Sequence, residues 1–235
     1  MTQPLCRLAA LMLLAALAAP ALAGTFRTIT IDDLYTDWDG VPVADSDAVA
    51  DNFSGPDIAT TQIANDNNYL YIRNTFANNL SLGTFVSVDV DQDSTTGFDL
   101  FGQGLYGVEA GWQNDFGFAQ AAGSFNSGAL AGEFFGGGHA LLSPFANAAS
   151  RELALSLANM SSGGVATFPD DTIRLIVWTD VGTGADGLPA GFTGDDGRNW
   201  DISGVIEYTL AVPEASTAML AMFAVCSAAL IRRNT

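Results

Sequence analysis

Thr84-Phe85-Val86-Ser87-Val88-Asp89-Val90-Asp91 is the stretch that decides the fold. Side chains alternate across a β-strand with a period of two, so Val86, Val88 and Val90 share one face and Phe85, Ser87, Asp89 and Asp91 the other. The pattern predicts a strand with its valine face buried and its serine and aspartate face in water. Working outward, residues 57–64 and 69–76 are β-branched and aromatic runs joined by Asn65-Asp66-Asn67-Asn68. Short polar side chains of that kind favour turns, so the pair predicts a hairpin. Further strands are predicted over 25–31, 105–112, 116–122, 151–157, 172–179 and 205–210. Only 141–160 carries a helical pattern.

Many short runs parted by Gly, Asn and Asp clusters predict an all-β fold, an antiparallel β-sandwich or jelly roll, as one domain over 24–210. A βαβ fold has nowhere to put its helices. Two Gly-rich segments, 123–138 and 181–197, are too long and polar for tight hairpins and predict surface loops. The second and its flank bring Asp186, Asp195, Asp196 and Asp201 near Phe192 and Trp200, which marks it for binding.

The formal net charge is −18, with no lysine in the chain. Between the two ends only Arg27, Arg73, Arg151, Arg174 and Arg198 offset the aspartates. A phosphate-binding surface needs clustered cations, so nucleic acid is excluded as a partner. An acidic body suits divalent cations or an anionic matrix joined through them; solubility alone accounts for it equally well. Cys6 and Cys226 both fall outside 24–210, which leaves the body without a disulfide. The one histidine, His139, follows Gly136-Gly137-Gly138, with no nucleophile-elbow pattern anywhere. A Cys–His pair is thereby excluded and a zinc cluster disfavoured; a Ser-His-Asp set stays open by count alone, and the expectation is a protein that is not an enzyme.

Asp89, Asp91 and Asp93 are the sharpest chemical feature. Alternation puts all three carboxylates on one face at a strand end, where calcium, which takes six to eight hard oxygen ligands, would relieve their repulsion. Asp99 is a further candidate ligand. An EF-hand is excluded, because Ser94 stands where its glycine belongs and Leu100 where its glutamate does. The alternative is an acidic strand end solvated by water. Sugars stack on aromatic rings while carboxylates and amides take their hydroxyls. Trp112 before Gln113-Asn114-Asp115, Trp200 between Asn199 and Asp201, and Trp178 on a strand face with Arg174 and Ile176 are therefore candidate ligand-binding residues. Packing in the core or at a sheet edge is the alternative for each.

Both ends of the chain read as addresses. Arg7, the apolar run 8–19 and Ala21-Leu22-Ala23 predict a secretory signal peptide, 1–23, with cleavage after Ala23. At the other end Val212-Pro213-Glu214-Ala215-Ser216-Thr217 leads into an apolar run to Ile231, then Arg232-Arg233. The uncharged stretch 216–231 is just long enough to cross a locally thinned bilayer, and the two arginines place the tail in the cytoplasm. Residues 211–235 resemble the PEP-CTERM sorting signal: a Pro-Glu-Pro motif, here Pro213-Glu214 with Ala215 in place of the second proline, then a membrane helix and a basic tail. The resemblance implies an exosortase partner, a membrane anchorage that ends on processing, and delivery to the cell envelope, surface or extracellular matrix.

The body carries a second resemblance. Ile31-Asp32-Asp33 with Asp37-Trp38-Asp39-Gly40, then Asp66-Asn67-Asn68-Tyr69-Leu70-Tyr71-Ile72, then Val88-Asp89-Val90-Asp91-Gln92-Asp93 with Thr96-Gly97-Phe98, follow one another in the order seen in family 9 carbohydrate-binding modules and related domains. Arg151-Glu152-Leu153-Ala154-Leu155-Ser156-Leu157 and Thr172-Ile173-Arg174-Leu175 fit the later strands. The resemblance implies a β-sandwich that binds sugars and carries structural calcium, with extracellular polysaccharide as partner. The competing expectation is a structural protein of a biofilm or envelope matrix, without a ligand pocket.

Overall fold

The computed structural model describes residues 24–131, 139–159, 166–182 and 200–212. A 3-10 turn at Tyr35–Trp38 is followed by β1 (Val43–Ser46), β2 (Ile58–Asn65), β3 (Tyr69–Phe76), β4 (Phe85–Asp89), β5 (Phe98–Asp99), β6 (Gly107–Val108) and β7 (Ala110–Gln113). Then come β8 (Phe116–Ala121), β9 (Ser124–Ala129), β10 (Ala140–Ser143), β11 (Ser150–Ser156), β12 (Thr172–Thr179), β13 (Asp201–Ile202) and β14 (Ile206–Thr209). One sheet runs β1-β2-β3-β11-β10. The other runs β13-β12-β4-β7-β8-β9 with β14 also paired to β12, and β5-β6 form a small third sheet. All these pairings are antiparallel. The fold is all-β, as the alternation predicts.

The sheets meet through one apolar core. Leu70, Ile72, Leu153 and Leu155 of the first sheet pack with Val86, Val88, Ile173, Leu175 and Val177 of the second. Hydrophobic burial of this two-sheet kind is the main stabilising force, and period-two side chains are what permit it. The predicted hairpin is β2-β3, and its turn is organised by Asp66. That carboxylate accepts from Asn68 N at 2.8 Å, Tyr69 N at 2.9 Å, the Tyr71 hydroxyl at 2.7 Å and the Thr28 hydroxyl at 3.0 Å. Burial by itself pushes the Asp66 carboxyl up, but these bonds outweigh it and hold the group below the usual carboxylate range. Asn65 beside it joins both ends of the body: its side chain bonds Ala211 N and O and the Tyr208 hydroxyl, while Gly24 N bonds Thr209 O.

Two outer layers flank the sandwich. On the first sheet, Ile29, Trp38 and Val41 cover Ala64, Tyr71 and Ala154. Glu152, fully buried on β11, holds this layer by accepting from Asp32 N at 2.7 Å, Asp33 N at 2.8 Å and Trp38 Nε1 at 3.0 Å. On the second sheet, Leu100, Phe101, Tyr106, Val108, Trp200 and Ile202 cover Ile176 and Trp178.

That second layer corrects the reading of β4. Ser87 and Asp89 lie on the face predicted to be wet, and both are buried, because the chain over 98–108 folds back across it. Residues 25–31 make only a parallel bridge, Phe26 to Asn65, since the segment is drawn over the outer face instead of joining the sheet edge. The helical pattern at 141–160 gives way, among the described residues, to β10 and β11, paired from Ala140–Leu155 to Ser143–Glu152; sheet pairing overrides local propensity. Part of the loop predicted at 123–138 is β9, an exposed edge strand of small residues paired to β8 and too polar to show alternation.

Residues 132–138 and 183–199, including Asp186, Phe192, Asp195 and Asp196, lie outside the described residues. So do the predicted signal peptide, 1–23, and the residues Pro213, Glu214, Arg232 and Arg233 of the predicted sorting signal. Among the described residues no helix is long and apolar enough to cross a membrane.

Candidate metal centre

β4 ends at Asp89, and the chain turns back through Gln92, whose φ is +59°, to reach β5. Glu109 stands between β6 and β7, where its backbone donates to Val88 O and its Oε2 accepts from Val90 N at 3.0 Å. These paths bring Asp89, Asp91 and Glu109 together, each offering a carboxylate oxygen within 4.8 Å of the others. The group can hold a metal ion.

Thr96 lies among these oxygens. Its Oγ1 is 2.7 Å from Glu109 Oε1, 2.9 Å from the Asp93 carbonyl, and 3.2 and 3.1 Å from the two Asp91 oxygens. A hydroxyl has one proton to donate, so at most one of these four acceptors is served at a time. Carboxylate, carbonyl and hydroxyl oxygens in such a cluster are the hard donor set that calcium takes. Burial pushes the Glu109 carboxyl up to about 7; hydrogen bonds from Thr96 and Val90 oppose the rise, and Asp91 and Asp89 add to it. Glycine makes the approach possible. At Gly97, with φ +63°, a Cβ would collide with the Val108 carbonyl and the Glu109 carboxylate, and at Gly107 it would meet the Thr96 carbonyl.

Four aspartates are candidate ligands by sequence, and they divide. Asp91 is central. Asp89 is fully buried and ion-paired with Arg174, its partner across β4 and β12, and its Oδ1 accepts from Gln92 N at 2.6 Å. Burial raises the Asp89 carboxyl even so, against the pull of Arg174. Asp93 turns its carboxylate outward onto Thr95, 2.9 Å from its N and 2.7 Å from its hydroxyl, and contributes its carbonyl instead. Asp99 accepts from Gly104 N at 2.7 Å and is not in the group. Glu109 is the member that spacing misses. Its one visible signal is a lone charge in the otherwise uncharged run 105–112.

The three candidate tryptophans are buried: Trp112 is 1 % exposed, Trp178 3 % and Trp200 2 %. Trp112 belongs to the core between the sheets, near Phe168. Polar neighbours in sequence say little about it, because successive strand residues point to opposite faces. Trp178 stacks on Phe85 at 4.3 Å, meets Trp200 edge-on at 4.7 Å, and donates from Nε1 to Ser87 Oγ at 2.8 Å. It and Trp200 nevertheless line a recess of about 200 Å3 with Phe98, Leu100, Phe125 and Asp180. Phe125, 39 % exposed, stands at its rim. A more open recess of about 360 Å3, with Asn67, Asn68, Tyr69 and Ser156 in its wall, offers amides but one ring. His139 is buried edge-on to Phe116 and accepts from Gly117 N at 3.3 Å.

Comparison of the chain with protein-family models, with curated proteins and with solved structures finds no match.

Proposed function

We propose that the chain is an exported, non-catalytic module of the cell surface or extracellular matrix that binds extracellular polysaccharide, with calcium as structural support. The observation that carries this reading is that the acidic centre and the aromatic recess are built from one segment. Asp91, Thr96 and Glu109 flank β5 and β6, and the same chain supplies Phe98 and Leu100 to the recess wall. Calcium held by Asp91, Glu109, the Asp93 carbonyl and the Thr96 hydroxyl would fix β5, and with it the wall against which a sugar ring stacks. Asp180, in the recess lining, would take its hydroxyls. The recess is below the roughly 300–1,000 Å3 of small-molecule sites, so it takes a single sugar residue of a longer chain. Delivery rests on the signal peptide 1–23 and on exosortase acting near Pro213-Glu214. Both ends of the body meet at Asn65, so an anchor at 211–235 would leave the opposite ends of the strands free.

A polysaccharide panel run in calcium and in chelator tests the reading. One glycan should bind saturably in calcium and weaken on chelation. Cation-dependent self-association without preference for any glycan would favour the matrix-protein reading, which the net charge of −18 supports.

A further inference from the structure

Asp57 immediately precedes β2 of the first sheet, and Asp201 opens β13 of the second. Together with Asp51 they form another group of three carboxylates, each offering an oxygen within 4.8 Å of the others. Asp57 is 3 % exposed; its Oδ2 accepts from Ala50 N at 2.9 Å, and its Oδ1 is buried with no hydrogen-bond partner among the described residues. An acceptor oxygen in that position costs free energy unless something positive meets it. Burial and then the facing Asp51 push the Asp57 carboxyl up, so two states are open to the group: a proton retained by a carboxyl, or a cation.

We propose that a calcium ion binds between Asp51, Asp57 and Asp201. Oxygens sharing one calcium lie about 2.3–2.6 Å from it and therefore no more than about 5 Å apart, which this group satisfies. Fully buried Asn52 donates to Pro56 O at 2.8 Å and Val181 O at 2.9 Å and accepts from Gly55 N at 3.1 Å, which holds 51–56 down beside the group. Asp201 already crosses between sheets, taking Ile58 N at 3.2 Å. The ion fastens the entrance of β2 to β13 and clamps the two sheets at one end. This site stands apart from the first: Asp201 pairs with Thr179 and Asp89 with Arg174, five residues away on β12 or about 17 Å at the strand rise. The two bind independently at such a separation.

Calcium binding to the intact chain is measured by equilibrium dialysis for wild type, Asp57→Asn, Asp51→Asn and Asp91→Asn. Asp57→Asn and Asp51→Asn should each lose one ion or weaken one class of sites by at least about tenfold, since ligand charge sets affinity. Asp91→Asn reports separately on the other centre. Asp51 is only half-buried, so Asp51→Asn decides if Asp57→Asn does not fold. Wild-type stoichiometry and affinity in Asp51→Asn would overturn the site and leave the retained proton as the state of the group.

Discussion

Replacing Glu152 with alanine should cost about 3–5 kcal/mol. The carboxylate is fully buried and serves three donors: Asp32 N, Asp33 N and Trp38 Nε1. A buried donor deprived of its acceptor costs about 1–3 kcal/mol. The two backbone groups are part-buried and can recruit water, so each belongs near the low end. The Trp38 Nε1 bond is buried and takes the larger value. Glu152→Gln separates the contributions. Its amide oxygen can keep both backbone donors while its NH2 confronts Trp38 Nε1, so it should lose only one bond, roughly 1–3 kcal/mol. Urea unfolding followed by tryptophan emission, extrapolated linearly, reads both variants. Typical domains are stable by about 5–15 kcal/mol, so the alanine variant should be marginal and the glutamine variant comfortably folded. An alanine variant within about 1 kcal/mol of wild type, or a glutamine variant as unstable as alanine, would refute the reasoning that Glu152 holds the outer layer.

Gly97→Ala should destabilise by about 2 kcal/mol or more and remove the share of the calcium response that belongs to the Asp91–Thr96–Glu109 centre, because its Cβ meets the Val108 carbonyl and the Glu109 carboxylate at positive φ; calorimetry with and without calcium checks it. Asp66 has a lowered folded pKa, so its contribution is present above the unfolded value of about 3.9 and is lost as pH falls through the folded one. Asp66→Asn should therefore narrow its stability deficit below about pH 4, as acid unfolding of the pair would reveal. Phe125→Ala, at the recess rim, should weaken glycan binding while leaving the fold intact; unchanged affinity in a titration would remove the recess as the binding site.

The parts of the fold legible in the sequence are those with period-two burial or local turn chemistry. β3 and β12 match their predicted bounds, 69–76 and 172–179, and the Asn65–Asn68 turn is where its side chains place it. The outer layers are not legible, because covering Ser87, Asp89 and Trp178 depends on a segment returning from 98–108. No alternation within β4 encodes that return. Asp89 and Asp91 are legible from spacing as members of one carboxylate group. Glu109 reaches the group through the pairing of β7 with β4 in one sheet, and Asp57 meets Asp201 only by approach across the two sheets. The tryptophans show the same limit: Trp200 lies between polar residues in sequence yet packs against Trp178 and Phe101.

Thermal unfolding of the chain and of Glu109→Gln, each in calcium and in chelator, tests calcium at the Asp91–Thr96–Glu109 centre most directly. At calcium one hundred times the dissociation constant, binding at this centre should by itself stabilise wild type by about 2.7 kcal/mol, a midpoint rise of roughly 5–11 °C for a body of this size. Glu109→Gln should lose much of that rise. Equal calcium-induced shifts in the two proteins would contradict the proposed centre.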